Sequence, residues 1–427
     1  MLRRPQTVLA LAVAGFLSLT ACSGGTDLPT AAGSTSGSSG TPVAPGSPAA
    51  ATGSTGPASS SPAGSASASS SPQVFVPTDP PSGTHDLPGM PPVLDPRNIY
   101  AADAPNKLSP AVKGALYRVY VPNGISNTVS VIDPLTYKVV KVLKVGKLPQ
   151  HVVPSWDLKT LWVTDDKSND LKAIDPKTAT ITRTVHVDDP YNLYFTPDGR
   201  AAMVMAESLR RIDFRNPQTM ALEKPLNVGC KGVDHGDFTA DGRFFIASCE
   251  FAGEMVVVDV VKRKVTGYVQ LGSAKYAPQD VKLSPDGKTF YVADMKANGV
   301  WRIDAHTWKL TGLLPTGKGA HGLYVSRDAK TMYVTNRDEG SVGLIDLSNG
   351  TLADTWQIGT AASPDMGNLN PAGTVLWLSG RYNSDVYAID TSTGRLIAKI
   401  KTGVGPHGVC VWPQPGRYSL GHTGILR

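Results

Sequence analysis

Between Leu116 and Pro415 the chain repeats one short pattern seven times, and this limits the folds open to it more than any other feature. An apolar residue followed by Asp recurs as Ile132-Asp133, Ile174-Asp175, Ile212-Asp213, Val258-Asp259, Ile303-Asp304, Ile345-Asp346 and Ile389-Asp390, spaced 38 to 46 residues apart. A turn signal precedes six of these anchors, as in Thr196-Pro-Asp-Gly199 and Ser284-Pro-Asp-Gly287. In such turns Pro presets φ, Asp hydrogen-bonds its own backbone and Gly supplies positive φ. Between the turns lie β-branched and aromatic runs too short for helices, such as Thr289-Phe-Tyr-Val-Ala293 and Val300-Trp-Arg-Ile303. Four strands in about 43 residues, seven times over, predict an all-β chain: a seven-bladed β-propeller of four-stranded blades.

The ends of the array predict how the ring closes. Leu116-Tyr-Arg-Val-Tyr-Val121 has no inner strand before it, and Gly408-Val-Cys-Val-Trp412 is an inner strand with no outer strands after it. Joining the two completes one blade and removes the exposed edges of an open array. The propeller is therefore placed at 116–415, with 416–427 as a C-terminal tail.

The segments upstream have a different composition. Met1-Leu-Arg-Arg4 is basic, and Val8 to Leu19 is an apolar run of about a dozen residues, too short to span a bilayer but of the form of a secretory signal. Residues 1–21 are read as that signal. It ends in Leu19-Thr-Ala-Cys22, which resembles the bacterial lipobox. The resemblance implies a lipidated Cys22 that anchors an exported chain to the outer face of the bacterial cytoplasmic membrane. Residues 22–72 are almost wholly Gly, Ser, Ala, Thr and Pro and read as a flexible tether reaching about 40 Å root-mean-square. Residues 73–115 are Pro-rich but include Phe75, Ile99 and Tyr100, and read as an extended arm lying against the folded domain. The formal charge of +6 is spread thinly, with no run of Lys and Arg, so nucleic acid is not an expected partner. A monomer is expected.

Val119-Tyr-Val-Pro-Asn123, Leu161-Trp-Val-Thr-Asp165, Phe290-Tyr-Val-Ala-Asp294 and Met332-Tyr-Val-Thr-Asn336 resemble the Tyr-Val-Thr-Asn motif of the YVTN-repeat (YncE-like) β-propeller family. Ala320-His-Gly322 and Pro406-His-Gly408 are similar to that family's Pro-His-Gly lead into the inner strand. Ala201-Ala-Met-Val-Met205 and Val375-Leu-Trp-Leu-Ser379 depart from the motif. The resemblance implies a seven-bladed extracytoplasmic propeller. It implies no single activity, since this fold hosts binding scaffolds, lactonases, lyases and haem or copper enzymes.

Residues just before each inner strand meet at one mouth of the channel. They include His151, Asp234, His235, Asp280, His321, Asp365 and His407. Loops after the second strands add Glu250, Arg337 and Arg381. Imidazoles beside carboxylates point to a polar or metal-assisted site, with His235, His321 and His407 as ligands of a divalent metal. The plainer alternative is that these residues shape the turn into the strand. His151 and His235 stand one residue later in register than His321 and His407, which predicts that the two pairs point differently. Cys230 and Cys249 are expected on the same face. In an exported chain they read as a disulfide, with metal or cofactor ligation by Cys230 and His235 as the rival. Cys410 reads as a buried small hydrophobe. No phosphate loop, nucleophile elbow, zinc-protease helix or haem-attachment motif occurs. Three functions follow: a module binding a protein or small ligand, a lactonase-like or metal-dependent enzyme, or an accessory to an extracytoplasmic redox system.

Overall fold

The repeated Ser/Thr-x-Asp turn and the apolar-Asp anchor each close a hairpin through a side chain. Ser284 Oγ donates to Asp286 Oδ1 at 2.6 Å and accepts from the Thr289 amide at 3.0 Å. Asp346 Oδ1 accepts from the Ser348 amide at 2.8 Å. Each is an Asx- or ST-type turn that reverses the chain locally. In the computed structural model, which describes residues 86–427, these hairpins build seven antiparallel sheets in a ring. In blade 5 the strands are Pro278–Leu283, Thr289–Asp294, Gly299–Asp304 and Leu310–Pro315. The protein is a seven-bladed β-propeller. The signal segment, Cys22, the tether and residues 73–85 of the arm lie outside the described residues. Among the described residues, no helix is long and apolar enough to cross a membrane.

Blade 1 is closed as expected: Cys410–Trp412 pairs antiparallel with Arg118–Asn123, with Val411 opposite Val119. The apolar core is divided into wedges between neighbouring blades. Tyr291, Val300, Met332 and Ile345, for instance, fill the wedge between blades 5 and 6. Outer strands alternate in exposure, as in Lys138–Lys144, where Lys138, Val140, Val142 and Lys144 face water and Leu143 is buried.

The two ends of the described chain seal one face. From the arm, the Leu87, Ile99 and Asn106 amides donate to the carbonyls of Asp241, Pro285 and Pro371, all in turns after inner strands. The arm includes two short 3₁₀ turns, Ala101–Asp103 and Pro110–Val112, rather than being wholly irregular. It thus lies on the face opposite the His-bearing mouth.

The segment 416–427 is not a peripheral tail. Ser419–Gly421 and Ile425–Leu426 form a hairpin that adds two strands to blade 3, with Gly421 opposite Tyr194. Gly421 has φ +104°, and a Cβ there would lie 2.4 Å from the Leu193 carbonyl oxygen, so only glycine allows this approach. Arg427 locks the end by donating to both carboxylate oxygens of buried Asp237 at 3.0 and 3.1 Å. The hairpin is held by tertiary contacts, which the short glycine-rich sequence does not advertise.

Candidate functional site

Six of the seven inner strands begin with a break in the ladder. Register shifts fall at Pro149/Val152, Pro190/Asn192, Val233/Gly236, Pro278/Val281, Ala320/Leu323 and Pro364/Gly367. A bulge leaves consecutive residues outside the two-residue alternation and re-aims their side chains. The pairs that follow a shift therefore both serve the channel. The His151 ring centroid lies 4.9 Å from that of His407 and 5.5 Å from that of His235. His235 is 6.1 Å from His321, and His321 is 5.9 Å from His407. The expectation that the register offset separates the two pairs is overturned. Gly408 completes the convergence: a Cβ there would lie 2.3 Å from His151 Cδ2, so the ring occupies the space that a side chain would take.

Hydrogen bonds assign the free nitrogens. His151 Nδ1 donates to the Tyr191 carbonyl at 2.9 Å, which leaves its Nε2 an acceptor without a partner. His407 Nδ1 donates to Asp365 Oδ2 at 2.7 Å, so its Nε2 also carries a lone pair, with Tyr191 Oη 3.4 Å away. His235 has neither ring nitrogen hydrogen-bonded. These three residues offer ligand nitrogens that all lie within 4.8 Å of one another. The trio that converges thus contains His151 in place of His321, whose Nδ1 is 3.2 Å from Asp365 Oδ1.

An equilateral triangle with 4.8 Å edges has its centre about 2.8 Å from each corner. Imidazole–zinc bonds are about 2.0–2.1 Å. The rings therefore need to close in by about 0.7–0.8 Å to hold an ion.

The electrostatics favour neutral imidazole, the metal-binding form. Burial lowers the basicity of these rings, and neighbouring charges act both ways: Arg381 adds to burial at His407, while Asp280 and Glu250 oppose it at His235. His407 falls to about 3 and His235 to about 4. His151, His321 and His422 fall well below the ordinary value. Asp365 behaves in the opposite way. Burial pushes its carboxyl up, but Arg337, His321 and His407 outweigh that and hold it well below the usual range. Arg337 Nε donates to Asp365 Oδ1 at 2.8 Å. Asp365 is thus a hub between a guanidinium and His407, the carboxylate–histidine pairing that orients metal ligands.

The remaining expected residues divide. Asp280 is tied to Lys282 Nζ at 3.1 Å and stands 3.7 Å from His422 Nε2. Asp234 accepts from Ser248 Oγ and groups with Glu250 and Glu207, one oxygen of each within 4.8 Å of the others. Arg381 has a buried Nη1 with no partner. Cys230 and Cys249 are joined, with S–S 2.09 Å and Cα atoms 5.9 Å apart, so Cys230 is not a free ligand. Cys410 is a buried free thiol.

His422 escaped the sequence analysis. The C-terminal hairpin carries it up the channel, where its ring lies 5.2 Å from His151 and 5.1 Å from His235, and its Nδ1 is 3.0 Å from Asn192 Nδ2. The available signal was the apolar content of the segment that carries it, Tyr418, Leu420, Ile425 and Leu426.

A family model described as YNCE-like beta-propeller matches residues 90–416. The chain belongs to the YNCE-like β-propeller family. Two curated members, both called uncharacterized protein YncE, come from Salmonella typhi and Salmonella typhimurium. Each is 24% identical over 266 residues, covering 60% of this chain and 65% of theirs. The chain thus spans just under two thirds of the length of these YncE relatives. Among solved structures, hydrazine synthase of Kuenenia stuttgartiensis is similar, with a TM-score of 0.57 at 18% identity over 65% of this chain and 94% of that one. A putative 6-phosphogluconolactonase from Bacteroides uniformis gives 0.56 at 18% identity over 69% and 98%. At such identities the likeness shows the fold shared by YNCE-like and other propellers.

Proposed function

We propose that this YNCE-like propeller is an exported, lipid-anchored module that binds one borderline transition-metal ion, zinc or copper, at His151, His235 and His407. The observation that carries this reading is three buried, neutral imidazoles that offer ligand nitrogens within 4.8 Å of one another, with His151 Nε2 and both nitrogens of His235 unpartnered. A buried polar atom without a partner costs about 1–3 kcal/mol. Several at one point need a ligand to offset that cost. Imidazole donors suit zinc and copper better than calcium or magnesium. Three protein ligands leave a fourth position for water or a small ligand, as in catalytic zinc sites. The sealed opposite face directs exchange through the His-bearing mouth, and the lipobox-like Leu19-Thr-Ala-Cys22 supports the anchor.

Elemental analysis of protein purified without a histidine tag tests this. About one zinc or copper per chain is expected, and His151→Ala and His407→Ala should each lose it. A metal-free protein that also fails to take up either ion refutes the reading. A second reading rests on the chain Asp365–His407–Tyr191, in which a carboxylate orients an imidazole beside a hydroxyl. That arrangement suits acid–base chemistry in a metal-free hydrolase or lyase. It gains ground if lactone hydrolysis is found in metal-free protein and is lost in Tyr191→Phe.

A further inference from the structure

We infer that Glu207, Asp234 and Glu250 form a second, outer cation site, built from oxygen ligands and joined to the histidine centre through His235. The inference goes beyond the histidine site but rests on the same channel. Glu207 follows the second strand of blade 3, Ala202–Ala206, and Glu250 the second strand of blade 4, Phe244–Cys249. Both glutamates are partly exposed at the open mouth, while Asp234 is fully buried beneath them. One oxygen of each lies within 4.8 Å of the others.

Among the described residues, no Lys or Arg ion pair reaches any of the three. The nearby Lys167 is spent on Asp166, at 3.0 Å, and Asp189, at 3.8 Å. Gathering carboxylates this closely without a cation is unfavourable. A second, independent observation points the same way. His235 is fully buried, neither ring nitrogen has a hydrogen-bond partner, and Nδ1 lies only 3.5 Å from Asp234 Oδ1. Asp234 Oδ2 is likewise buried and unpartnered. One imidazole therefore adjoins both ligand sets. Three carboxylate oxygens with room for water at the mouth suit a hydrated divalent cation of the magnesium, calcium or manganese kind. The site lies where a metal ion passing from solvent to the histidines would first lose part of its hydration shell.

The probe is Mn²⁺, followed by electron paramagnetic resonance on the full chain at mildly alkaline pH. Wild type is expected to bind one Mn²⁺. The double variant Glu207→Gln/Glu250→Gln should bind it roughly tenfold or more weakly, take up Zn²⁺ to the same final stoichiometry, and do so more slowly. The His151→Ala/His407→Ala variant should still bind Mn²⁺. Wild type that binds no Mn²⁺, or a double variant that binds it normally, overturns the inference while leaving the histidine centre standing. Mn²⁺ binding in a protein that takes no zinc or copper would do the reverse, upholding the outer site and removing the inner one. Circular dichroism of each variant separates loss of a ligand from loss of the fold.

Discussion

Replacing Gly408 with Ala strikes the contact that brings the histidines together. The backbone at Gly408 is not in the left-handed region, so alanine meets no backbone strain there. What it meets is the His151 ring, with the new Cβ 2.3 Å from Cδ2 and 2.8 Å from Cγ, and the Gln150 carbonyl oxygen at 2.9 Å. Ordinary van der Waals contact begins at 3.4 Å, so the ring must withdraw by about 1.1 Å along that line. The rings already have to close in to reach bonding distance, and a further withdrawal of this size leaves the His151 nitrogen far outside the roughly 0.2 Å tolerance of a metal–ligand bond. His151 is therefore removed as a ligand, and loss of one of three nitrogens should cost at least tenfold to a hundredfold in affinity, the range found even for outer-shell changes. The fold should survive, since overpacking costs about 1–3 kcal/mol. Isothermal titration with Zn²⁺, beside a thermal melt, reads both effects. Gly343→Ala is the control: its Cβ would press on Leu352 Cδ1 at 3.1 Å and meets neither a histidine nor Asp365, so affinity should hold. Gly408→Ala protein that binds zinc like wild type would refute the proposed role of His151.

Two further outcomes follow from the same geometry. Asp365→Asn leaves Arg337 buried without its counter-ion and should cost about 3–5 kcal/mol in urea denaturation; a loss below about 1 kcal/mol would contradict the hub. The pH dependence of metal-free protein has two opposed limbs. Folded His407 and His235 sit at about 3 and 4, below the ordinary 6.5, so their contribution is complete above 6.5 and is lost as pH falls toward 4. His151, His321 and His422 act in the same direction. Burial instead raises Asp234 and Glu250 to about 7 and Glu207 to about 8, so their contribution is complete below about 4 and is lost as pH rises through 7 to 8. Each group changes stability by up to about 1.4 kcal/mol per pH unit within its window. Burial raises Asp165 to about 8 and Asp103 to about 6 in the same way, so five carboxyls offset five imidazoles on the acid side and act almost alone above pH 7. Thermal melts should be nearly level between pH 5 and 6 and fall from pH 7 to 8; a melting temperature that rises from pH 7 to 8 would contradict this.

The blades were legible in the sequence because their determinants are local. Strand runs such as Thr289–Ala293 and turns such as Ser284–Gly287 lie within a few residues of one another, and a missing inner strand at Leu116 paired with a spare one at Gly408–Trp412 gave the closure. The mouth could be named for the same reason, since every residue before an inner strand must reach it. Which side chains meet there was not local. The period-two rule placed His151 and His407 in different registers, but bulges at the strand starts cancel that rule and Gly408 lets the His151 ring lie against the neighbouring strand. His422 and the sealed face depended wholly on tertiary structure. Residues 416–427 are short and glycine-rich enough to resemble a loose end, and become strands only because Gly421 can lie against Leu193 and Tyr194 while Arg427 finds Asp237. Local hydrogen bonding and hydrophobic alternation decided the ring; close approach between segments hundreds of residues apart decided what fills its centre.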